Sequence, residues 1–140
     1  MNTTALRSKK NNLLKSTLRA NSVFSGLVAV ELLLFHQKIA NFMGSFDPKY
    51  LIWLGLVLIF FVIILLYVTE RGRMSLSMAK FVVWLDVSWV VGSSLLMIFV
   101  HHWFSNAGLI LMTAVAIVVA LFATYQCIGI KQFSKNDALY

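Results

Sequence analysis

Four apolar runs of about twenty residues each, at 20–40, 50–68, 81–101 and 108–128, take up most of this chain. Each suffices for an α-helix to cross the ~30 Å hydrocarbon core of a bilayer at 1.5 Å per residue. Backbone N–H and C=O groups find no water there, so each run must satisfy them internally, as a helix does. The expected fold is therefore all-α: a four-helix transmembrane bundle in up-down order. Composition agrees, since 60% of the 140 residues are hydrophobic, 12% are charged and mean hydropathy is +0.84, whereas soluble domains carry about 25% charged residues.

Four spans leave no room for a soluble catalytic domain, so any chemistry must lie in the bundle or its short loops, and no enzymatic activity is expected. The expected division is a basic arm over 1–19, a membrane domain over 20–130 and a tail over 131–140. A basic start followed by an apolar run can be a cleavable signal. This run is too long for one, contains Glu31 and lacks a small-residue cleavage site, so it reads as a retained span. The arm, with Leu6, Leu13, Leu14 and Leu18 among its cations, suits either a short helix on anionic lipid or a disordered basic segment.

The net charge of +7 does not imply nucleic acid, because the cations flank the spans and form no groove with interleaved aromatics. They report topology instead. Ten of the twelve Lys and Arg lie before the first run, between the second and third, or after the fourth; only Lys38 and Lys49 lie in the other two connections. The positive-inside rule then places both termini in the cytoplasm. Tyr50, Trp53 and Trp103 fall at the outer interface, and Tyr67, Trp84 and Tyr125 at the inner one. In the first connection, Asp47-Pro48 suits a helix cap followed by proline at the first helical position. In the last, Ser105 or Asn106 suits a cap. Gly72 is the expected breaker between the second and third runs.

Inside this apolar framework two carboxylates need partners. On insertion scales an Asp in the hydrocarbon costs about 2.5–3.5 kcal/mol, so it must face protein or water, or hold a proton. With each run centred on the bilayer, Glu31 lies within ~2 Å of the midplane and Asp86 ~8 Å toward the cytoplasm. Ser25 and Thr124 come out at the depth of Asp86, with Asn21 and Gln126 ~4–6 Å further in, so all four are candidate partners for its carboxylate. On a helical wheel Asn21 and Ser25 share one face, and Asp86, Trp89 and Ser93 another, which predicts a polar seam between the first and third helices. Such a seam acts as structural glue or as a proton- or substrate-binding site. Glu31 and Asp86 are the candidate proton sites. At its depth Glu31 must hold a proton or meet a cation or a water-filled cavity, and no Lys or Arg lies deep in any run to pair with it.

No metal or cofactor is expected. His101 and His102 diverge on a helix and would need His36 as a third ligand. Cys127, the one cysteine, allows neither an internal disulfide nor a multi-cysteine metal site, and reads as a small apolar residue near a helix end. Ala114, Ala116, Ala120 and Ala123 would allow close helix approach. Asn21-Ser22-Val23-Phe24 and Asp86-Val87-Ser88-Trp89 form a faint echo, each a polar residue three positions before an aromatic, as two duplicated hairpins would show.

Asn21-x-x-Phe24-Ser25-Gly26-Leu27 and Leu85-Asp86-x-x-Trp89-Val90-x-Gly92-Ser93 resemble a group of small bacterial four-helix membrane proteins known only as hypothetical, over most of residues 18–130. The resemblance implies a multi-pass protein of the bacterial inner membrane and carries no activity with it. Small multidrug transporters also have four short helices with a Glu in the first, at which protons and cationic drugs compete. Glu31 aligns with that Glu, but that family's motifs are absent around it and Asp86 departs from its pattern. Two functions follow as expectations: a structural or accessory protein whose partners are the bilayer and a second copy or another membrane protein, or a proton-linked transporter of a small or cationic solute. Reporter fusions after Lys10, Gly44, Arg73, Asn106 and Lys135 should read in, out, in, out, in; an external carboxyl terminus would overturn the topology.

Overall fold

Long apolar runs without interior proline propagate as helices, and among the described residues four such helices form. The computed structural model describes the backbone of residues 3–70 and 76–137, with the side chains of 13–69, 76–132 and 134. The helices are α1 (Thr3–Met43), α2 (Lys49–Glu70), α3 (Leu76–Phe99) and α4 (Asn106–Asp137), with a 3₁₀ turn at His101–Trp103 before α4. All four are long and apolar enough to cross a membrane, which makes this an all-α, multi-pass bundle. Gly72, Arg71 and Arg73 lie outside the described residues.

The helices overrun the expected boundaries. α1 continues through the predicted arm, and Leu14 and Leu18 are buried in the bundle, neither lying on a lipid surface nor disordered. The reason is packing: Leu14, Leu18, Leu65, Val68, Ala79, Val82, Val83 and Ile130 from all four helices form one buried cluster. Near its other end α1 bends at Phe35 (φ −116°, ψ 19°), where the His36 ring bonds the Leu33 carbonyl.

α1 packs along α2 and α4, and α3 along α4; α2 and α3 touch little, so the bundle is open on that side. A second cluster, Ala29, Leu32, Ala40, Leu51 and Leu58, joins α1 to α2. The outside is apolar, with Leu27, Leu34, Trp53, Phe60, Trp84, Ile98, Phe99 and Ile110 exposed, while Asn21, Ser22, Ser25, Thr69, Asp86 and Gln126 are buried. That inversion of a soluble core suits a hydrocarbon solvent.

The connections at the end opposite the termini are bound to each other. Ser45 N–H donates to the Trp103 carbonyl at 3.0 Å, and Ser105 N–H to the Met43 carbonyl at 2.6 Å. Ser105 Oγ donates to the Phe42 carbonyl at 2.7 Å and accepts Gly108 N–H at 3.0 Å, so it caps α4 and ties it to α1. Asp47 Oδ1 accepts Lys49 N–H at 2.9 Å, capping α2. Two glycines permit this approach. Gly44 has φ +153°, and a Cβ there would run into the Trp103 carbonyl; a Cβ on Gly108 would run into the Met43 carbonyl.

Of the four alanines singled out in α4, Ala116 and Ala123 are buried, whereas Ala114 is exposed and Ala120 half-buried. Gly108→Ala should destabilise the detergent-solubilised protein by about 1–3 kcal/mol, as overpacking does. Gly92→Ala, with open space around its Cβ, should cost nothing in the same thermal melts.

Candidate functional site: a buried carboxylate clamp

Buried positions on α1 recur at Leu14, Leu18, Asn21, Ser25, Ala29 and Leu32, and on α4 at Ala116, Val119, Ala123, Gln126 and Ile130. Steps of three and four residues keep each set on one helix face. Asn21 and Gln126 are thus carried inside by their apolar neighbours. On α3 the buried set is Ala79, Val82, Val83 and Asp86, all in the half nearest the termini. Where the three faces meet, Asp86 is 2% exposed and Asn21 and Gln126 are fully buried.

Asn21 Nδ2 donates to Asp86 Oδ2 at 2.8 Å, and Gln126 Nε2 donates to the same oxygen at 2.9 Å. Ser25 Oγ donates to Asn21 Oδ1 at 3.2 Å, which turns the amide so that its N–H faces the carboxylate. The clamp joins α1, α3 and α4, so α4 is integral to a seam expected between the first and third helices alone. Gln126 Oε1 is buried with no partner among the described residues: with Nε2 on the carboxylate the amide's acceptor points away from it, and no described hydroxyl meets it as Ser25 meets Asn21 Oδ1.

The other predicted seam residues lie apart from this contact. Thr124 is exposed on the far side of α4 and its hydroxyl donates to the Ala120 carbonyl at 2.8 Å, so it does not serve Asp86. Depth misled here. α3 starts at Leu76 rather than 81, and α1 runs from well before 20, which brings Asn21 and Gln126 level with Asp86. Trp89 and Ser93, both half-buried, continue along α3 on the wall of a cavity. Glu31 is exposed, and ten residues of α1 place it about 15 Å beyond Asn21 along the axis. Among the described residues no group donates to its carboxylate.

Two adjoining cavities lie beside the clamp. One, of about 220 Å³, has Asp86 and Ser25 on its wall with Phe24, Phe60, Phe61 and Phe81. The other, of about 490 Å³, has Glu31, Ser93 and Trp103. Val28, Leu58, Trp89 and Val115 line both.

His101 and His102 are exposed at the loop end with ring centroids 5.8 Å apart, while His36 bonds its own helix. Among the described residues no three His, Cys, Asp or Glu side chains gather to hold a metal. Sequence reasoning missed the loop tie through Ser105 and Phe42, which local signals beyond the cap do not encode. No protein-family model, curated protein or solved structure matches this chain.

Asp86→Leu removes the shared acceptor and leaves two buried amides unpaired, at about 1–3 kcal/mol each by general estimates and about 0.6–1.7 by membrane-protein cycles. Asp86→Asn retains an acceptor oxygen. Unfolding in mixed micelles should show a clear loss for Leu and a much smaller one for Asn; equal losses would mean that the charge, and not the acceptor, holds the helices.

Proposed function

We propose that this chain is a non-enzymatic, multi-pass protein of a bacterial inner membrane, with a structural or accessory role that rests on a bundle locked by Asp86. The observation that carries the reading is the closure of the clamp: one carboxylate oxygen meets two neutral amides from separate helices. Amides bind and orient a carboxylate, but they neither take nor give protons at ordinary pH. An arrangement of this kind suits holding helices in register for a second copy or another membrane protein.

The distribution of Lys and Arg supports cytoplasmic termini, and the resemblance of the Asn21 and Asp86 motifs supports the bacterial setting. Lys15, Arg19, Lys80 and Lys131 belong to the end of the bundle that carries the termini, which favours anionic lipid at that surface.

A second reading, proton-linked transport of a small or cationic solute, is favoured by one observation: both Glu31 and Asp86 reach cavity walls. A pH gradient across proteoliposomes separates the two. No proton flux in the wild type, with candidate cations present, is expected under the structural reading. Flux abolished by Glu31→Gln at unchanged expression would replace it with transport.

A further inference from the structure

Asp86 is 2% exposed, yet one of its two oxygens has no partner. Oδ2 accepts both amide N–H groups of the clamp, while Oδ1 meets no donor among the described residues and is not enclosed by protein. Asp86 stands on the wall of the smaller cavity, so Oδ1 faces into that space. Ser25 lies on the same wall; its hydroxyl proton is committed to Asn21 Oδ1, which leaves the Oγ lone pairs as a second acceptor. Apart from the Trp89 indole, every other side chain lining this cavity is hydrocarbon.

An apolar cavity of about 150 Å³ takes up benzene, and this one offers about 220 Å³ bordered by Phe24, Phe60, Phe61, Phe81 and Trp89. Such walls favour an aromatic ring, packed edge to face or offset. A hydroxyl on that ring suits the open acceptor, because a phenolic O–H is more acidic than an alkyl one, hence the stronger donor, and is uncharged. An ammonium head would instead bring three N–H groups to two acceptors and bury its charge short of partners. The larger cavity, of about 490 Å³, adjoins along Val28, Leu58, Trp89 and Val115 and has room for a tail. Beyond the cluster in which Leu65 of α2 meets Val82 of α3, these two helices hardly touch, and the rim residues Val57, Phe60 and Phe81 are exposed. Entry is therefore sideways, from the bilayer.

We infer that this cavity binds an uncharged, bilayer-dissolved phenolic lipid, a hydroxylated ring on a single apolar tail, the class that includes tailed hydroquinones. The ring lies among the phenylalanines, its hydroxyl donates to Asp86 Oδ1, and the tail runs through the larger cavity to the opening. With the apolar runs centred on the bilayer, Asp86 lies ~8 Å to the cytoplasmic side of the midplane, where a neutral hydroxyl is buried at little cost once its proton meets an acceptor. The inference goes beyond the structural reading and does not depend on it, since a bound lipid neither requires nor excludes proton flux.

The test is isothermal titration of the full chain in neutral maltoside micelles with para-octylphenol, set against its methyl ether, para-octylanisole, and dodecanol, a hydroxyl without a ring. The wild type should bind the phenol saturably at one site and the anisole about tenfold or more weakly, as loss of a hydrogen bond to a carboxylate does. Dodecanol, lacking the ring, should also bind more weakly than the phenol. Asp86→Asn locates the hydroxyl. Its carbonyl oxygen must stay on the two clamp amides, so its NH₂ group faces the cavity and donates alike to a hydroxyl and an ether, and the preference for phenol over anisole should vanish. Val115→Trp, on the wall common to both cavities, should abolish saturable binding with the circular dichroism spectrum unchanged. Equal binding of phenol and anisole by the wild type, dodecanol binding as tightly as the phenol, or a phenol preference that survives Asp86→Asn would overturn the proposal.

Discussion

Three helices depend on one oxygen atom. Apolar side chains facing apolar lipid gain little from turning inward, because the solvent is as hydrophobic as they are, so packing alone specifies helix rotation weakly. A buried carboxylate is different. Asp86 must be met, and meeting it with Asn21 and Gln126 fixes the rotation of α1, α3 and α4 and their relative height at the same time. Turning any one of the three would expose a polar group to hydrocarbon.

The rest of the bundle is arranged about that contact. Near it the four helices close on Leu14 and Leu18, Leu65, Val82 and Ile130, and at the far end backbone bonds between the connections hold α1 to α4. Helix α2 is attached mainly through α1, and α3 mainly through α4. Two helix pairs joined along one side leave the opposite side parted, and the parting is the cavity that runs from Asp86 to Glu31. The clamp and the cavity belong to one geometry: the contact that joins α3 to α1 lies in the half that carries the termini, and beyond it α2 and α3 hardly touch before the tied connections.

Much of this was legible in the chain. Run length and the absence of interior proline determine four helices, because unsatisfied backbone groups in hydrocarbon allow no other form. The cap at Asp47 and the cap at Ser105 follow from local chemistry within a few residues, and both are observed. Steps of three and four on α1 and α4 mark the faces that carry Asn21 and Gln126. A helix was one of the two forms open to the arm, but that Leu14 and Leu18 turn into the bundle was not legible, because among cations they fit a lipid surface as well as a bundle interior, and only their neighbours distinguish the two.

By itself, then, the sequence determined the number of helices, their apolar outer surface and the presence of a carboxylate that must be partnered inside. The tertiary structure alone decided which groups partner it. Thr124 and Gln126 are two residues apart and both can donate, but 200° of helical turn separates them, and contact with α1 and α3 selected Gln126. It also decided that Glu31 lies open on a cavity wall while Asp86 is enclosed. The physical reason is the same in both cases: helix formation is set by the solvent and by neighbours in sequence, whereas burial of one polar atom depends on the axial offset and rotation of helices far apart in the chain.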